Sequence, residues 1–277
     1  MKTVYFSQHG QDFIVDRILK NPNTIVEVGC IDGLRFSNSY FFEKNYNINC
    51  HLFEPHKEMA KLIPQNRPKS TFKEYAISNF DDNAGSFFQN YAGTFSNLSN
   101  EFESNYKNSA IWGGYKKVEN EKIRRLDTCF KEFNISEIDF LSIDIDGNDI
   151  YALEGINLHK IMPTVLCIEM NNSMTDFDLY YDYLKNNSKY RYFLVLKQDF
   201  FAFKNFKDYL KSIFNYKKVT LFHFKYPFGE YYNTDKYAKF KVNGFLMLHS
   251  YFLLKHFSYR RFFYRLQKLI KILFRKK

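Results

Sequence analysis

Short apolar runs and helix-spaced apolar positions take turns along most of this chain. The runs lie at Thr24 to Val28, Cys50 to Phe53, Phe72 to Ala76, Phe140 to Asp144 and Val165 to Glu169; they are too short for helices and rich in β-branched and aromatic side chains. Between them, apolar residues recur with helical spacing over Asp12 to Lys20, Ser39 to Tyr46, Lys57 to Ile63, Arg125 to Phe133, Asp149 to Leu158 and Asp176 to Asn186. Asn21-Pro22-Asn23 stops the first helix, because proline disfavours helical geometry before it. Strands alternating with helices predict an α/β fold with a doubly wound, mostly parallel sheet. Tyr192 to Leu196 and Val219 to Phe224 are expected to add the remaining strands. Gly93 to Tyr115 interrupts the alternation with a polar stretch closing on Ile111-Trp112-Gly113-Gly114-Tyr115, which reads as a loop hinged to act as a lid.

Several apolar runs end in acids. Val26-Glu27-Val28-Gly29-Cys30-Ile31-Asp32-Gly33 closes a β-branched run with a carboxylate and two glycines. Glycines let the backbone turn sharply at a strand end and approach a nucleotide-like ligand without a Cβ in the way. The spacing departs from the dinucleotide fingerprint, since Ile31 takes the middle glycine position and Glu27 would repel a pyrophosphate. A sulfonium with an amino-acid tail suits it better. Glu54 ends the next run, His51-Leu52-Phe53-Glu54-Pro55, where such folds hold ribose hydroxyls. Asp144 and Asp146 end a third, and Glu169 a fourth.

In order and spacing these segments resemble the FkbM-type S-adenosylmethionine-dependent methyltransferases. The resemblance rests on Ser7-Gln8-His9-Gly10-Gln11-Asp12, the turn from Glu27 to Gly33, Phe36-Ser37-Asn38, Phe53-Glu54-Pro55, Ala76-Ile77-Ser78, Arg125-Leu126-Asp127, Asp139 to Gly147 and Ile168-Glu169. It implies a Rossmann-like class I methyltransferase fold with S-adenosylmethionine bound by Gln11, Glu27, Gly29, Gly33, Ser37, Asn38, Phe53, Glu54, Ala76, Ile77 and Asp144. Cys30 and Ile31 replace smaller and more polar residues of the family's turn, and Asp146 stands where many members carry glutamate.

Methyl transfer to oxygen needs a nucleophile in line with the sulfonium methyl and a destination for the hydroxyl proton. Asp144, Asp146 and His9 are the candidate catalytic residues. Asp144, Glu169 and Asn171 offer oxygen ligands suited to Mg or Mn. Three roles stay open for the two aspartates: metal ligand, direct base, or cap of the following helix.

With 45% hydrophobic and 25% charged residues, the 277-residue chain can bury one sizeable core. Its four cysteines form no C-x-x-C pair, as expected of buried thiols in a reducing, cytoplasmic setting. The first residues show no apolar signal segment, with the same implication. The net charge of +10 is concentrated at one end. Twelve of the 40 Lys and Arg follow residue 235 and no acid does, leaving 28 cations against 30 acids in residues 1–235. A nucleic-acid enzyme would carry its positive patch around the site, so no nucleic-acid partner is expected.

The division is therefore a methyltransferase domain over 1–235 and a basic C-terminal extension over 236–277. Phe262, Phe263, Leu266, Leu269, Ile270, Leu273 and Phe274 recur with helical spacing among Arg261, Arg265, Lys268, Lys271, Arg275 and Lys276. This predicts a helical tail that either lies on an anionic membrane or packs against the domain or a homodimer partner. The expected activity is O-methylation of a sugar hydroxyl in a surface glycan or its nucleotide-sugar precursor. The alternatives are a small secondary metabolite as acceptor, or a non-catalytic scaffold at a membrane.

Overall fold

The computed structural model describes residues 5–90, 96–97, 115–170, 173–196 and 198–219. A seven-stranded sheet organises them. In chain order its strands are β1 (Ile25–Val28), β2 (Cys50–Phe53), β3 (Thr71–Lys73), β8 (Phe140–Ile143), β9 (Val165–Glu169), β10 (Tyr192–Leu196) and β11 (Asp199–Phe203), set side by side as β3-β2-β1-β8-β9-β11-β10. β1, β2, β3, β8 and β9 are parallel, and β11 runs antiparallel to both β9 and β10. This is the doubly wound, Rossmann-like sheet expected of the sequence. Its central strands lie in the interior, where every residue of β1 and β8 is buried, Glu27 and Ser142 included.

The helices are α1 (Gln11–Ile18), α2 (Tyr40–Tyr46), α3 (Lys57–Ala60), α4 (Ile63–Asn66), α5 (Leu126–Glu132), α6 (Asp149–Glu154), α7 (Ser173–Asn187) and α8 (Phe206–Val219). None of these is long and apolar enough to cross a membrane. β1 lies between β2 and β8, so the chain's winding reverses at its carboxyl end. A crevice opens there in folds of this kind. Val28 is level with Phe53 on one side and Ile143 on the other, bringing the turns after three strands to one edge.

One expected strand is corrected. Phe72 to Ala76 splits: Thr71–Lys73 joins the main sheet, while Ala76–Ser78 (β4) pairs in parallel with Ile123 to Arg125 in a second sheet. The last strand among the described residues is Asp199–Phe203; of the expected Val219 to Phe224, Val219 ends α8 and residues 220–224 lie outside the described residues. The second sheet also contains an unexpected long hairpin of β5 (Asp82–Asn90) and β7 (Tyr115–Arg125), with β6 (Ser96–Asn97) paired to β5. β7 reads as polar, and register shifts between Asp82 and Ser86 break the period-two signal. Of the expected lid, only Ser96, Asn97 and Tyr115 are described, and the basic extension from 236 lies wholly outside the described residues.

Candidate active site

The turn after β1 is built around backbone approach. Gly29 adopts φ +81°, donates its N–H to the Phe53 carbonyl at 2.9 Å, and a Cβ on it would lie 1.8 Å from the Asp144 carbonyl oxygen. Gly29 thus clears room for the chain leaving β8, where the sequence suggests room for a ligand. Gly33, at φ +83°, has Arg67 Cγ 2.8 Å from where its Cβ would be. Ile31 between them sits at φ 52°, a left-handed conformation that strains a β-branched residue by about 1–3 kcal/mol. That conformation aims its N–H at Glu54 Oε2, 2.9 Å away.

Glu54 is buried, and its Oε1 accepts the His56 N–H at 2.9 Å. Each oxygen therefore retains a lone pair, and a vicinal diol brings two hydroxyl donors to such a carboxylate. Burial pushes its pKa up to about 7, with Asp32 adding to the rise against the two backbone hydrogen bonds. Asn38 gives Nδ2 to Ser142 Oγ at 2.8 Å and leaves Oδ1 buried with no partner among the described residues. Turned over, the amide would leave the other end unpaired. Glu54 and Asn38 thus have unused hydrogen-bonding capacity for a cofactor.

Several other cofactor candidates are bonded within the protein. Glu27 accepts Ser37 Oγ at 2.7 Å, the Asn38 N–H at 2.6 Å and Ser39 Oγ at 2.5 Å. It anchors the loop after the turn. Ser37 Oγ, besides serving Glu27, accepts the Tyr40 N–H at 3.0 Å and Arg67 Nη1 at 3.1 Å. Gln11 uses Oε1 on the His9 N–H and Nε2 on Asp199. The Phe53 ring is core, stacked on Tyr75 with centroids 6.5 Å apart. Ala76 and Ile77 are buried in β4.

The residue that sequence reasoning missed here is Arg67. Wholly buried, its guanidinium reaches Glu43 Oε2 (2.6 Å), the Gly33 carbonyl (2.9 Å), Ser37 Oγ and Ser39 Oγ (2.9 Å), with Glu27 Oε2 at 3.8 Å. No local pattern marks it, because its partners come from three distant stretches.

At the ends of β8 and β9, one carboxylate oxygen from each of Asp144, Asp146 and Glu169 lies within 4.8 Å of the others. Asp144 and Glu169 share a hydrogen bond, and both pKa values rise. Burial is the main cause for each; Glu169 reaches about 8. Like charges crowded in a desolvated site keep a proton between them. Asp149, in the first turn of α6, accepts the N–H groups of Ile145 (3.0 Å) and Gly147 (2.9 Å) and so ties down the loop that carries Asp146. Asn171 lies outside the described residues.

Opposite Glu169 in register stands Asp199, the first residue of β11 and a second omission of sequence reasoning. It is buried and bonded to His9 Nδ1 at 3.2 Å and Gln11 Nε2 at 2.9 Å. The structure thus brings together Asp144, Asp146 and Glu169, with His9 tied to their edge through Asp199.

The methyltransferase FkbM domain model matches residues 27–194, more than half of the chain and all strands from β2 to β9. The chain belongs to the FkbM methyltransferase family. It is accordingly an S-adenosylmethionine-dependent methyltransferase, as the motifs imply. The FkbM methyltransferase of Methylobacillus flagellatus KT is 14% identical at a TM-score of 0.42, over 67% of this chain and 45% of that one, so the match spans under half of that protein. The O-methyltransferase of Bacillus cereus, solved in complex with SAH, is 12% identical at a TM-score of 0.40 over 73% of this chain and 82% of its own. TrmK of M. capricolum, solved with S-adenosylhomocysteine, is 13% identical at a TM-score of 0.36, over 72% and 67%. No curated protein matches the chain. In this FkbM methyltransferase the turn after β1 holds Ile31 at φ 52° with its N–H on Glu54 Oε2.

Proposed function

We propose that this FkbM methyltransferase transfers the methyl group to a hydroxyl of a sugar, in a surface glycan or its nucleotide-linked precursor. The observation that carries the reading is the convergence of Asp144, Asp146 and Glu169 with the Asp199–His9 pair beside the cofactor turn. An alcohol holds its proton tightly near neutral pH, so a site for oxygen needs acid–base groups that a site for a free amine does not. Carboxylates that accept hydrogen bonds also suit an acceptor bearing many hydroxyl donors. In this reading Glu54 holds the ribose diol, Asn38 meets the amino-acid end of the cofactor, and Asp144 and Asp146 orient the acceptor.

Asp144, Asp146 and Glu169 also fit a divalent cation, since their donors are hard oxygens close enough for shared ligation. Magnesium or manganese held there would supply positive charge beside the acceptor hydroxyl. For the basic extension, its cations and apolar stripe support attachment to an anionic membrane on the cytoplasmic side. Co-sedimentation with anionic vesicles at low salt should pellet the full chain and leave a chain ended near Ser258 in solution; equal behaviour of the two rejects the anchor.

The deciding experiment offers the full chain labelled S-adenosylmethionine with nucleotide sugars, glycans and small phenols in parallel. Label on a sugar hydroxyl is the expected result. Label confined to phenols would move the acceptor to small metabolites, and label on none would leave a scaffold.

A further inference from the structure

The tautomer of His9 follows from its neighbours. Gln11 Oε1 accepts the His9 backbone N–H at 2.8 Å, and that bond settles which end of the Gln11 amide is which. Gln11 Nε2 must then donate to Asp199 Oδ2, 2.9 Å away. The same oxygen lies 3.2 Å from His9 Nδ1. As it already accepts one N–H, it accepts the second too, and the imidazole proton sits on Nδ1. Cys167 Sγ, 3.8 Å from Oδ1, occupies the other side of the carboxylate. His9 Nε2 is left bare. It has no hydrogen-bond partner among the described residues and is not among the sealed, unpaired polar atoms of the interior.

The dyad is built into the fold. Asp199 faces Glu169 across the β11–β9 ladder, on the same face of the sheet, and its charge bears on both Glu169 and Asp144. His9 reaches it from the loop before α1, where Gly10 at φ 86° turns the chain and the Ser7–Phe36 bridge ties that loop to the one following the cofactor turn.

We propose that Asp199 is a positioning residue that holds His9 in its Nδ1–H tautomer, with Nε2 as the base for the acceptor hydroxyl. In that step the acceptor O–H bond breaks and its proton passes to Nε2. The oxygen bonds to the methyl carbon, and the carbon–sulfur bond breaks with its electron pair on sulfur, giving S-adenosylhomocysteine. Asp199 then faces an imidazolium, which a buried carboxylate stabilises. The inference rests on oxygen being the acceptor atom, as proposed above.

Nitrogen-15 NMR of the full chain labelled at histidine, saturated with S-adenosylhomocysteine, reads the tautomer without turnover. The His9 signals, assigned by their loss in His9→Ala, should show Nδ1 protonated and Nε2 bare, and Asp199→Asn should erase that preference. With the best hydroxyl acceptor of the panel, Asp199→Asn should lower kcat about a hundredfold or more, within the usual range for a general base, at unchanged affinity for S-adenosylhomocysteine. Should Asp199→Asn fail to fold, His9→Ala should lose turnover similarly and regain part of it with added imidazole. A proton on Nε2 in the parent, full turnover of either variant, or no rescue of His9→Ala overturns the proposal. If the parent methylates only nitrogen or carbon acceptors, the oxygen reading itself fails, and the base role fails with it even where the tautomer is as stated.

Discussion

The carbonyl oxygen of Asp144 stands 1.8 Å from the point where a side chain on Gly29 would begin. The turn after β1 and the exit of β8 are therefore packed backbone to backbone. Gly29→Ala should destabilise the protein by about 3 kcal/mol or more, combining strain at positive φ with overpacking. Thermal unfolding without ligand should fall by roughly 6–12 °C for a domain of this size. An unchanged melting temperature together with lost S-adenosylhomocysteine binding would mean that the glycine clears space for the ligand instead.

With Glu54 on the ribose diol as proposed, cofactor affinity should depend on pH. Its pKa, raised by burial to about 7, leaves it mostly protonated at pH 6 and mostly ionised at pH 8, and the ionised form is the better acceptor for hydroxyls. Calorimetry should show S-adenosylhomocysteine binding roughly tenfold more tightly at pH 8 than at pH 6, a one-group titration across its pKa. Glu54→Gln should flatten the dependence, and Glu54→Ala should cost about 1–3 kcal/mol of affinity. The sign for folding is opposite. A carboxyl whose folded pKa exceeds its unfolded value contributes stability below the unfolded value, and that contribution is lost as pH rises towards about 7.

Arg67 neutralises Glu43 and approaches Glu27 in a buried site. Arg67→Met should cost about 3–5 kcal/mol in chemical denaturation, because two carboxylates lose their buried cation. Adding Glu43→Gln to that variant should recover part of the loss. A cost below about 1 kcal/mol would show that the network relaxes or takes up water.

For the acids at the β8 and β9 ends, exhaustive chelation should abolish turnover while leaving S-adenosylhomocysteine binding intact, with magnesium or manganese restoring it. Asp144→Asn should weaken that restoration at least tenfold in cation concentration, as losing a first ligand does. Full turnover after chelation would remove the cation.

Sequence alone determined the strand–turn units, because each depends on residues adjacent in the chain. Val26 to Gly33 announces a strand, its end and its left-handed glycines within one stretch, and Phe53-Glu54-Pro55 does the same for the strand end that carries Glu54. What a carboxylate does with its oxygens depends on residues brought up from elsewhere. Glu27 is as recognisable as Glu54, yet Ser37, Asn38 and Ser39 take its oxygens for the fold, while Ile31 and His56 leave Glu54 with acceptors to offer. Only the tertiary structure decided the direction of Asp199–Phe203. An acid that begins an apolar run looks misplaced beside runs that end in acids, until the strand proves antiparallel and its first residue arrives at the edge where its neighbours finish. Strand direction is set by long-range pairing, which no local pattern of this sequence encodes, and with it came the Asp199 carboxylate that meets His9.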